Sequence, residues 1–375
     1  MRQPELDRRQ ALVGFGALPF GGALNASVQL YGADRYRDTI VVDGLGGFLE
    51  WSTPGSTTLS ARTREAMTRS GLTSLHITVA EPGNGPDRFR QAVEGIARAH
   101  RMTRENADLL RPVHRAGDLT AAKSEKRLGL VLALQDTAAL EGDPSRVAAL
   151  GDLGLRVLQL TYNKRNLVGD GALEASNAGL SDFGRQVLAE IERNKLMADL
   201  SHGGPRLISD ALAAATRPLA ITHTGCRAVA DHPRNVDDSA LRGTAEKGGV
   251  VGLYFMPFLR TSGQAGRDDL IRHTEHALNV AGEDHIGIGT DGGIAGIVID
   301  DAMRQRQRAF FERRQALGIA SPGEAADVFN IIPEYNDSTR YIRLAQDLSS
   351  RGWPSARIDK LLGANFARLY RDTWG

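Results

Sequence analysis

Two histidines and one aspartate stand at the ends of separate apolar runs of the chain, where their side chains could hold one metal ion. His202 follows one run, His223 follows the next, and Asp291 ends a run much further along. Imidazole suits Zn²⁺ or a similar divalent ion, and Asp291 could complete the coordination or take a proton from bound water. A single histidine beside an apolar strand is more often a hydrogen-bonded core residue, so His76, inside a run, is interpreted as structural. Two imidazoles with an aspartate opposite favour a functional site.

Short apolar runs alternate with amphipathic stretches, a pattern typical of parallel β/α units whose strands are buried on both faces. Eight strands are predicted at residues 39–43, 72–80, 128–135, 157–162, 197–200, 219–222, 250–255 and 286–291. Helices are predicted at residues 87–101, 144–153, 182–193, 205–215, 267–281, 302–317 and 356–370. This order predicts an α/β protein in which residues 39–375 form one (β/α)8 TIM-type barrel with additional C-terminal helices.

The active site of such a barrel lies at the carboxyl ends of its strands. The residues at or just after these ends are Asp43, Gln135, Tyr162, His202, His223 and Asp291. Arg234 lies in the polar loop after the sixth run, where its guanidinium could hold a substrate carboxylate through two hydrogen bonds. The charge pattern alone favours a surface arginine paired with Asp237 or Asp238. The same reasoning interprets the Arg-rich stretch 304–314 as a solvated helix face.

Composition narrows the classes of function. The 375 residues include 46 Lys and Arg against 45 Asp and Glu, a formal net charge of +1, so no overall basic field favours nucleic acid as a partner. The single cysteine, Cys226, excludes an intramolecular disulfide and a cysteine-based zinc cluster. No apolar run approaches the roughly 20 residues of a stable membrane span. We expect a small-molecule substrate, and a homodimer is compatible with the C-terminal helices.

Arg8 and Arg9 precede a Gly/Ala-rich apolar stretch, residues 13–26, which ends in small residues typical of a processing site. This segment resembles a twin-arginine export signal, although Asp7 directly precedes the arginine pair; a plain N-terminal extension is the alternative. We therefore expect residues 1–38 to be a signal and linker. A functional signal would make the protein periplasmic, and otherwise we expect it to be cytoplasmic.

Several motifs, taken in order, resemble the membrane (renal) dipeptidase family over residues 39–369. They are Leu160-Thr161-Tyr162-Asn163, Gly179-Leu180-Ser181-Asp182-Phe183-Gly184, Asp199-Leu200-Ser201-His202, Thr222-His223, Arg234-Asn235-Val236-Asp237, Gly287-Ile288-Gly289-Thr290-Asp291 and Leu362-Gly363-Ala364-Asn365-Phe366. The resemblance implies a metal-dependent hydrolase barrel in which two zinc ions activate water to cleave a dipeptide. It matches His202 and His223 to the second zinc, Arg234 to the substrate carboxylate, and Asp291 to the acidic residue at the last strand.

The chain departs from the family pattern at the first zinc position. The family's first strand ends in a His-x-Asp pair, whereas this chain has Leu45 and Gly47 there, and neither can bind a metal. The family's bridging glutamate is replaced by Gln135, whose neutral amide is a poor bridge between two cations. Tyr162 stands where the family has a substrate-polarising histidine.

We therefore predict a hydrolase with one metal ion, expected to be Zn²⁺, bound by His202, His223 and Asp291. In this hypothesis Asp291 acts as general base or third ligand, and Tyr162 donates a hydrogen bond to the developing oxyanion. Arg234, Tyr162 and Gln135 are assigned to binding a dipeptide-like substrate with a free carboxylate. Two alternatives remain open: a non-catalytic binding or accessory protein, and a different metal-assisted reaction.

Overall fold

The computed structural model describes residues 30–52, 55–316 and 320–375. The arginine pair and the apolar stretch of the expected export signal lie outside the described residues. Within the described part of the chain, no helix has both the length and the apolar character needed to cross a membrane.

Eight parallel strands form the ring of a barrel, which confirms the predicted fold class. In chain order the strands are β1 Val42–Asp43, β2 Gly46–Gly47, β3 Ser74–Thr78, β4 Leu110–Pro112, β5 Leu128–Leu134, β6 Leu155–Gln159, β7 Met197–Asp199, β8 Ala220–Thr224, β9 Val250–Leu253, β10 Ile286–Ile288 and β11 Gly292–Gly293. The ring follows the order β1-β3-β5-β6-β7-β8-β9-β10. A 2.8 Å backbone hydrogen bond from the Gly44 N–H to the Ile288 carbonyl joins its two ends.

Three strands were not predicted from the sequence. β4 pairs with the first half of β5, while β6 pairs with its last three residues. β2 and β11 are two glycines each and pair in parallel just beyond the ends of β1 and β10. β6 also begins and ends earlier than the predicted run 157–162. After Gln159 the chain leaves the sheet, and the Gln159 side chain donates to the Thr161 carbonyl at 2.7 Å, which fixes this turn.

Helices cover the outside of the ring. They are α1 Ala33–Asp38, α2 Ala61–Ser70, α3 Arg88–Glu105, α4 Gly117–Glu125, α5 Arg146–Asp152, α6 Asp182–Arg193, α7 Pro205–Ala214, α8 Asp238–Glu246, α9 Arg267–Ala281, α10 Asp301–Ala316, α11 Arg340–Ser350, α12 Ser355–Asp359 and α13 Asn365–Trp374, with a π-helical turn at Lys360–Ala364. Short 3₁₀ helices are Leu49–Ser52, Ala138–Leu140, Pro257–Leu259 and Pro333–Tyr335. α6 and α9 have the predicted bounds. Ser181 begins α6 because its hydroxyl accepts the Gly184 N–H, which would otherwise lack a partner at the helix start.

The described part of the expected linker, residues 30–38, packs against the C-terminal helices. Tyr31 is buried, and its N–H donates to the Ser349 hydroxyl at 3.1 Å. Arg35 in α1 forms an ion pair with Asp359 of α12. The folded body therefore begins before residue 39.

The last helix closes the bottom of the barrel. Phe366, Leu369, Tyr370 and Trp374 of α13 share one apolar cluster with residues from six strands of the ring. Arg217 and Arg368 tie α13 to the amino-terminal ends of the strands. Arg217 donates to the carbonyls of Asp372 and Thr373, and Arg368 donates to the carbonyls of Gly248 and Asp284. Because α13 fills the amino-terminal opening, the carboxyl-terminal opening is left for a site.

His76 packs against α13 at the amino-terminal end of the barrel and has a structural role, as predicted. It is buried within β3, and its Nε2 forms a hydrogen bond with the Tyr370 hydroxyl. The two rings are stacked with their centroids 5.7 Å apart. Burial lowers the pKa of His76 to about 3, so the folded protein holds this imidazole neutral at neutral pH.

We predict that His76 makes the fold less stable in mild acid. The unfolded chain takes up a proton below pH of about 6.5, whereas the folded chain does so only near a pKa of about 3. Stability is therefore lost as the pH falls through this window, by about 2 kcal/mol between pH 8 and pH 5 from His76 alone. Denaturant unfolding at both pH values should show that His76→Gln removes this part of the loss. Tyr370→Phe keeps the imidazole and should keep the loss; equal pH dependence in His76→Gln and the parent would contradict the prediction.

Candidate active site

The two predicted histidine ligands meet at the carboxyl-terminal opening of the barrel. His202 follows β7 in a left-handed backbone conformation with φ of 61°, and His223 lies near the end of β8. Their ring centroids are 5.0 Å apart, and the residues are only 5% and 0% exposed. The conformation of His202 is uncommon for a residue with a side chain, and such conformations concentrate at functional sites.

Each imidazole has one bound nitrogen and one without a partner. The Nδ1 of His202 lies 2.6 Å from Oδ1 of Asn163, and the Nδ1 of His223 lies 2.9 Å from the Thr222 hydroxyl. Both Nε2 atoms are buried without a hydrogen-bond partner in the described structure. Burial lowers the pKa of both histidines well below the usual value, and the charge of Arg234 adds to the effect. Both rings are therefore neutral at neutral pH, the form in which imidazole binds a metal.

Tyr162 covers one of these rings. Its aromatic ring stacks on His202 with the centroids 4.1 Å apart and the planes inclined by 21°. Burial, and then the charge of Asp291, raise the pKa of the Tyr162 hydroxyl to about 12. The phenol therefore keeps its proton at neutral pH and can donate a hydrogen bond.

Arg234 is a buried residue of the site, so the interpretation as a surface arginine was wrong. It is 3% exposed, and its guanidinium carbon lies 5.9 Å from the centre of the Tyr254 ring. Asp237 instead caps α8, and Asp238 binds His276. Two contacts hold the backbone in place: the Arg234 N–H donates to Nδ1 of His232 at 3.0 Å, and the Thr224 hydroxyl donates to the Arg234 carbonyl at 2.9 Å.

The positive charge of Arg234 is not neutralised by an ion pair with any residue that the structure describes. Burial lowers its pKa, but a guanidinium stays protonated in a protein. A buried charge of this kind is costly unless it is paired. Arg234 is thus suited to an anionic ligand such as a carboxylate.

Asp291 lies close enough to Arg234 for the positive charge of the guanidinium to affect the pKa of the Asp291 carboxyl group. It follows β10 with φ of 54°, and its N–H donates to the Leu45 carbonyl at 2.8 Å. Burial raises the pKa of Asp291 to about 7, although the positive charge of Arg234 works in the opposite direction. The described residues contain no group of three or more His, Cys, Asp or Glu side chains that could hold a metal ion. The two histidines therefore provide a pair of donors, and the role of Asp291 as third ligand stays a prediction.

The loss of a first zinc site at Leu45, Gly47 and Gln135 stays a prediction, and the structure shows only what surrounds these positions. Leu45 is buried, and Gly47 pairs with Gly293 in the short sheet of β2 and β11. Gln135 accepts a hydrogen bond from the Thr78 hydroxyl at 3.1 Å through its side-chain oxygen. None of these three side chains offers an imidazole or a carboxylate in this part of the opening.

Asp43, which the sequence placed at a strand end beside the site, has a structural role. Its carboxylate accepts the N–H and the hydroxyl of Thr290, at 2.7 and 2.6 Å, and the hydroxyl of Tyr341 at 2.7 Å. Burial raises its pKa, and these hydrogen bonds lower it in part. Asp43 therefore connects β1, the segment after β10 and α11.

Sequence reasoning missed three residues near the histidines. Asn163 and Thr222 hold the two imidazoles, and the only signal was their position beside Tyr162 and His223 in the quoted motifs. Arg314 was assigned to a solvated helix face, which was wrong: its side chain is 15% exposed and pairs with Glu324 at 2.8 Å. Its charge lowers the pKa of Asp291 and that of Tyr162. The distance of 23 residues from Asp291 along the chain gave no indication of this proximity.

The fold and the site define a barrel of the metal-dependent hydrolase class, and sequence comparison gives its family. The profile of the membrane dipeptidase family, peptidase family M19, matches residues 49–305. The chain belongs to this family, as the sequence motifs predicted. It is thus a dipeptidase-like metallohydrolase by descent.

Individual relatives have low sequence identity to this chain or match only part of it. An uncharacterized Klebsiella pneumoniae protein of the pqqA 5′ region is 26% identical over 290 residues, which cover 74% of this chain and 94% of that protein. An uncharacterized dipeptidase of Schizosaccharomyces pombe is 36% identical over 157 residues, which cover 40% of this chain and 38% of that one. The match thus spans well under two thirds of the yeast protein.

Solved structures share the architecture over nearly the whole chain. An amidohydrolase from Pseudomonas aeruginosa has 29% identity and a TM-score of 0.78, with 92% of this chain and 99% of that chain covered. A metallopeptidase from Rhodobacter sphaeroides, bound to a phosphinate mimic of the dipeptide L-Ala-D-Ala, has 21% identity and a TM-score of 0.71. That comparison covers 90% of this chain and all of that one, and at this identity it shows the fold alone.

Proposed function

We propose that this protein hydrolyses a dipeptide or a related small amide with a free carboxylate, and that it uses one divalent metal ion. The observation that carries the proposal is a pair of buried imidazoles whose Nε2 atoms lack partners, in the same opening as the buried guanidinium of Arg234. A pair of metal donors beside an anion-binding cation matches the two requirements of such a substrate.

His202 and His223 would hold the ion, and Zn²⁺ is the one that two imidazoles favour. When bound, the ion would supply Lewis-acid activation of water. The residues at the position of the family's first zinc ion support a single ion. Leu45 and Gly47 offer no side-chain donor atom there, and the Gln135 amide carries no charge.

The remaining residues would bind the substrate and move protons. Arg234 would bind the substrate carboxylate through two parallel hydrogen bonds. Tyr162 would donate a hydrogen bond from its phenol to the oxygen that becomes negative as water attacks the amide carbon, and Gln135 would contact the substrate nearby. Asp291, with a pKa raised to about 7, is suited to accept a proton from water near neutral pH.

A second candidate function is a binding or accessory protein that holds a small carboxylate without turnover. It is supported by the same three positions, because Leu45 and Gly47 have no side-chain donor atom and the Gln135 amide is uncharged. A different metal-assisted reaction is the third possibility. Each of these would keep the use of Arg234 and lose amide hydrolysis.

We predict that hydrolysis depends on the ion held by the histidines. Treatment with a chelator should abolish turnover of a panel of unblocked dipeptides, and added Zn²⁺ should restore it. His202→Ala and His223→Ala should each lower kcat/KM by at least about 100-fold, because a pair of donors cannot lose one member and still hold the ion well. Turnover that survives chelation would contradict the one-metal hydrolase. Binding of a dipeptide without turnover in the zinc-loaded protein would support the binding protein.

We also predict that Arg234 selects substrates with a free carboxylate. Arg234→Met should raise KM for a free dipeptide and lower kcat/KM by about 30-fold or more, as expected when a buried charged hydrogen bond worth about 2 kcal/mol is lost. The parent should prefer a free dipeptide to its C-terminal amide, and the variant should not. Arg304→Met, at an exposed position of α10, is the matched control and should leave both values unchanged. An equal preference in the parent and Arg234→Met would show that another group binds the carboxylate.

We propose in addition that Arg8 and Arg9 direct export to the periplasm. The burial of Tyr31 against the C-terminal helices implies that any cleavage compatible with the fold occurs before this residue. The N-terminal residue of protein recovered from cells tests this proposal, and an uncleaved chain in the cytoplasm would contradict it.

A further inference from the structure

Behind each of the two histidines lies a buried polar partner on the side away from the unpartnered nitrogen. For His223 the partner is the Thr222 hydroxyl, and behind it lies Asp199. For His202 it is the side-chain amide of Asn163. We propose that Thr222 and Asn163 are positioning residues that fix both imidazoles with the proton on Nδ1 and so reserve both Nε2 lone pairs for a metal ion. The metal-binding part of this inference rests on the function proposed above.

The direction of the hydrogen bonds at His223 follows from the number of protons available. The Thr222 hydroxyl lies 2.5 Å from Oδ2 of Asp199 and donates its single proton to that carboxylate. The hydroxyl oxygen then has only lone pairs left for His223, so the Nδ1 of His223 must carry the proton of the 2.9 Å contact. The series of hydrogen bonds therefore runs from the His223 imidazole through the Thr222 hydroxyl to the Asp199 carboxylate.

Asp199 is held as an acceptor by further donors. Its Oδ1 accepts the N–H of Ser201 at 2.9 Å, the Ser201 hydroxyl at 2.7 Å and the N–H of Thr222 at 3.0 Å. Two of these donors are backbone groups that cannot reverse. Asp199 is itself 3% exposed; burial raises the pKa of its carboxyl group, while the four hydrogen bonds from Thr222 and Ser201 lower it and favour the ionised, accepting form. The carboxylate at the end of this series of hydrogen bonds is thus fixed by the backbone N–H groups of Ser201, just after β7, and of Thr222, in β8.

At His202 there is a single hydrogen bond of this kind, and it ends on the neutral side-chain amide of Asn163. The Oδ1 of Asn163 lies 2.6 Å from Nδ1 of His202 and accepts its proton, and both residues are buried. Tyr162, the neighbour of Asn163, stacks on the same imidazole at 4.1 Å and restricts rotation of the ring. An imidazole whose hydrogen bond leads to a carboxylate binds a metal ion more strongly than an imidazole whose hydrogen bond ends on an amide. We therefore expect the hydrogen bonds from His223 through Thr222 to Asp199 to contribute more to metal binding than the hydrogen bond from His202 to Asn163.

Both unpartnered nitrogens then have a common explanation. A buried polar atom without a hydrogen bond is destabilising and uncommon in proteins. The described structure contains two such Nε2 atoms on rings with centroids 5.0 Å apart, each opposite a nitrogen that is firmly bound. Only the tautomer with the proton on Nδ1 leaves a lone pair at both positions.

The tautomers can be measured without metal. The chain has nine histidines, and ¹⁵N–¹H correlation spectra of histidine-labelled apoprotein distinguish the protonated from the unprotonated ring nitrogen of each. The spectra of His202→Ala and His223→Ala assign the two signals. We expect the proton on Nδ1 in both residues of the parent. Thr222→Val should lose this preference at His223, Thr222→Ser should restore it, and Asn163→Asp should keep it at His202 because a carboxylate can only accept.

The zinc affinity of the same proteins, measured by competition with a chromophoric chelator, provides the second readout. Thr222→Val should weaken Zn²⁺ binding by about 10- to 100-fold, and Thr222→Ser should recover most of the loss. Thr244→Val is the matched control, because Thr244 is a buried threonine in α8 whose hydroxyl has no partner in the described structure. It should leave the tautomers and the zinc affinity unchanged.

The tautomers and the zinc affinity distinguish a wrong positioning role from a wrong metal-dependent function. A parent that does not bind zinc but has the proton on Nδ1 in both histidines would contradict the metal-dependent function and leave the tautomer assignment standing. A proton on Nε2 of His202 or His223 in the parent would overturn the positioning role. Unchanged zinc affinity in Thr222→Val would overturn the role of Thr222 in metal binding. Asn163→Asp tests the hydrogen bond at His202 even if Thr222→Val fails to fold.

Discussion

A carboxylate buried where water cannot reach it must receive its hydrogen bonds from the protein, and two such groups organise the open end of this barrel. Asp43 joins β1 to the segment after β10, where the ring of strands closes. Asp199 joins β7 to β8, the strands that carry the two histidines. Because each carboxylate accepts hydrogen bonds from the backbone as well as from hydroxyls, the ends of these strands are held at fixed positions. The imidazoles are built on that support.

Stability and chemistry occupy opposite ends of the barrel. The amino-terminal end is filled by the aromatic side chains of α13, which pack against the strands and hold His76 as a neutral core residue. The carboxyl-terminal end contains the two histidine Nε2 atoms, which are buried without a hydrogen-bond partner in the described structure, and the buried guanidinium of Arg234, which has no ion pair there. Burial of such groups costs free energy that a protein dedicated only to stability would avoid. The two Nε2 atoms and this positive charge lie in one opening, which indicates where a ligand belongs.

The sequence predicted the barrel well because parallel strands covered on both faces leave continuous apolar runs between amphipathic helices. All eight ring strands were found, and two helices had the predicted bounds. The short strands β2 and β11 were not found, because two glycines carry no periodic pattern. β6 ended before Tyr162 because the chain turns out of the sheet after Gln159, whose side chain donates to the Thr161 carbonyl.

The site was only partly predictable, for a similar reason. His202 and His223 were identified because they stand at strand ends, which topology brings together. The burial of Arg234 depends on a loop held by His232 and Thr224, and the charge pattern of the neighbouring aspartates suggested the opposite. Arg314 lies on a helix that is mostly exposed, so no local pattern distinguished it. Residues that act through contacts between distant loops leave little trace in a single sequence.

The number of metal ions per chain tests the proposed site most directly. Elemental analysis of the purified protein, after loading with Zn²⁺ and removal of the excess, should give one ion per chain. The double variant His202→Ala/His223→Ala should give none. Two ions per chain in the parent, or one ion that persists in the double variant, would contradict a single site built on these two histidines.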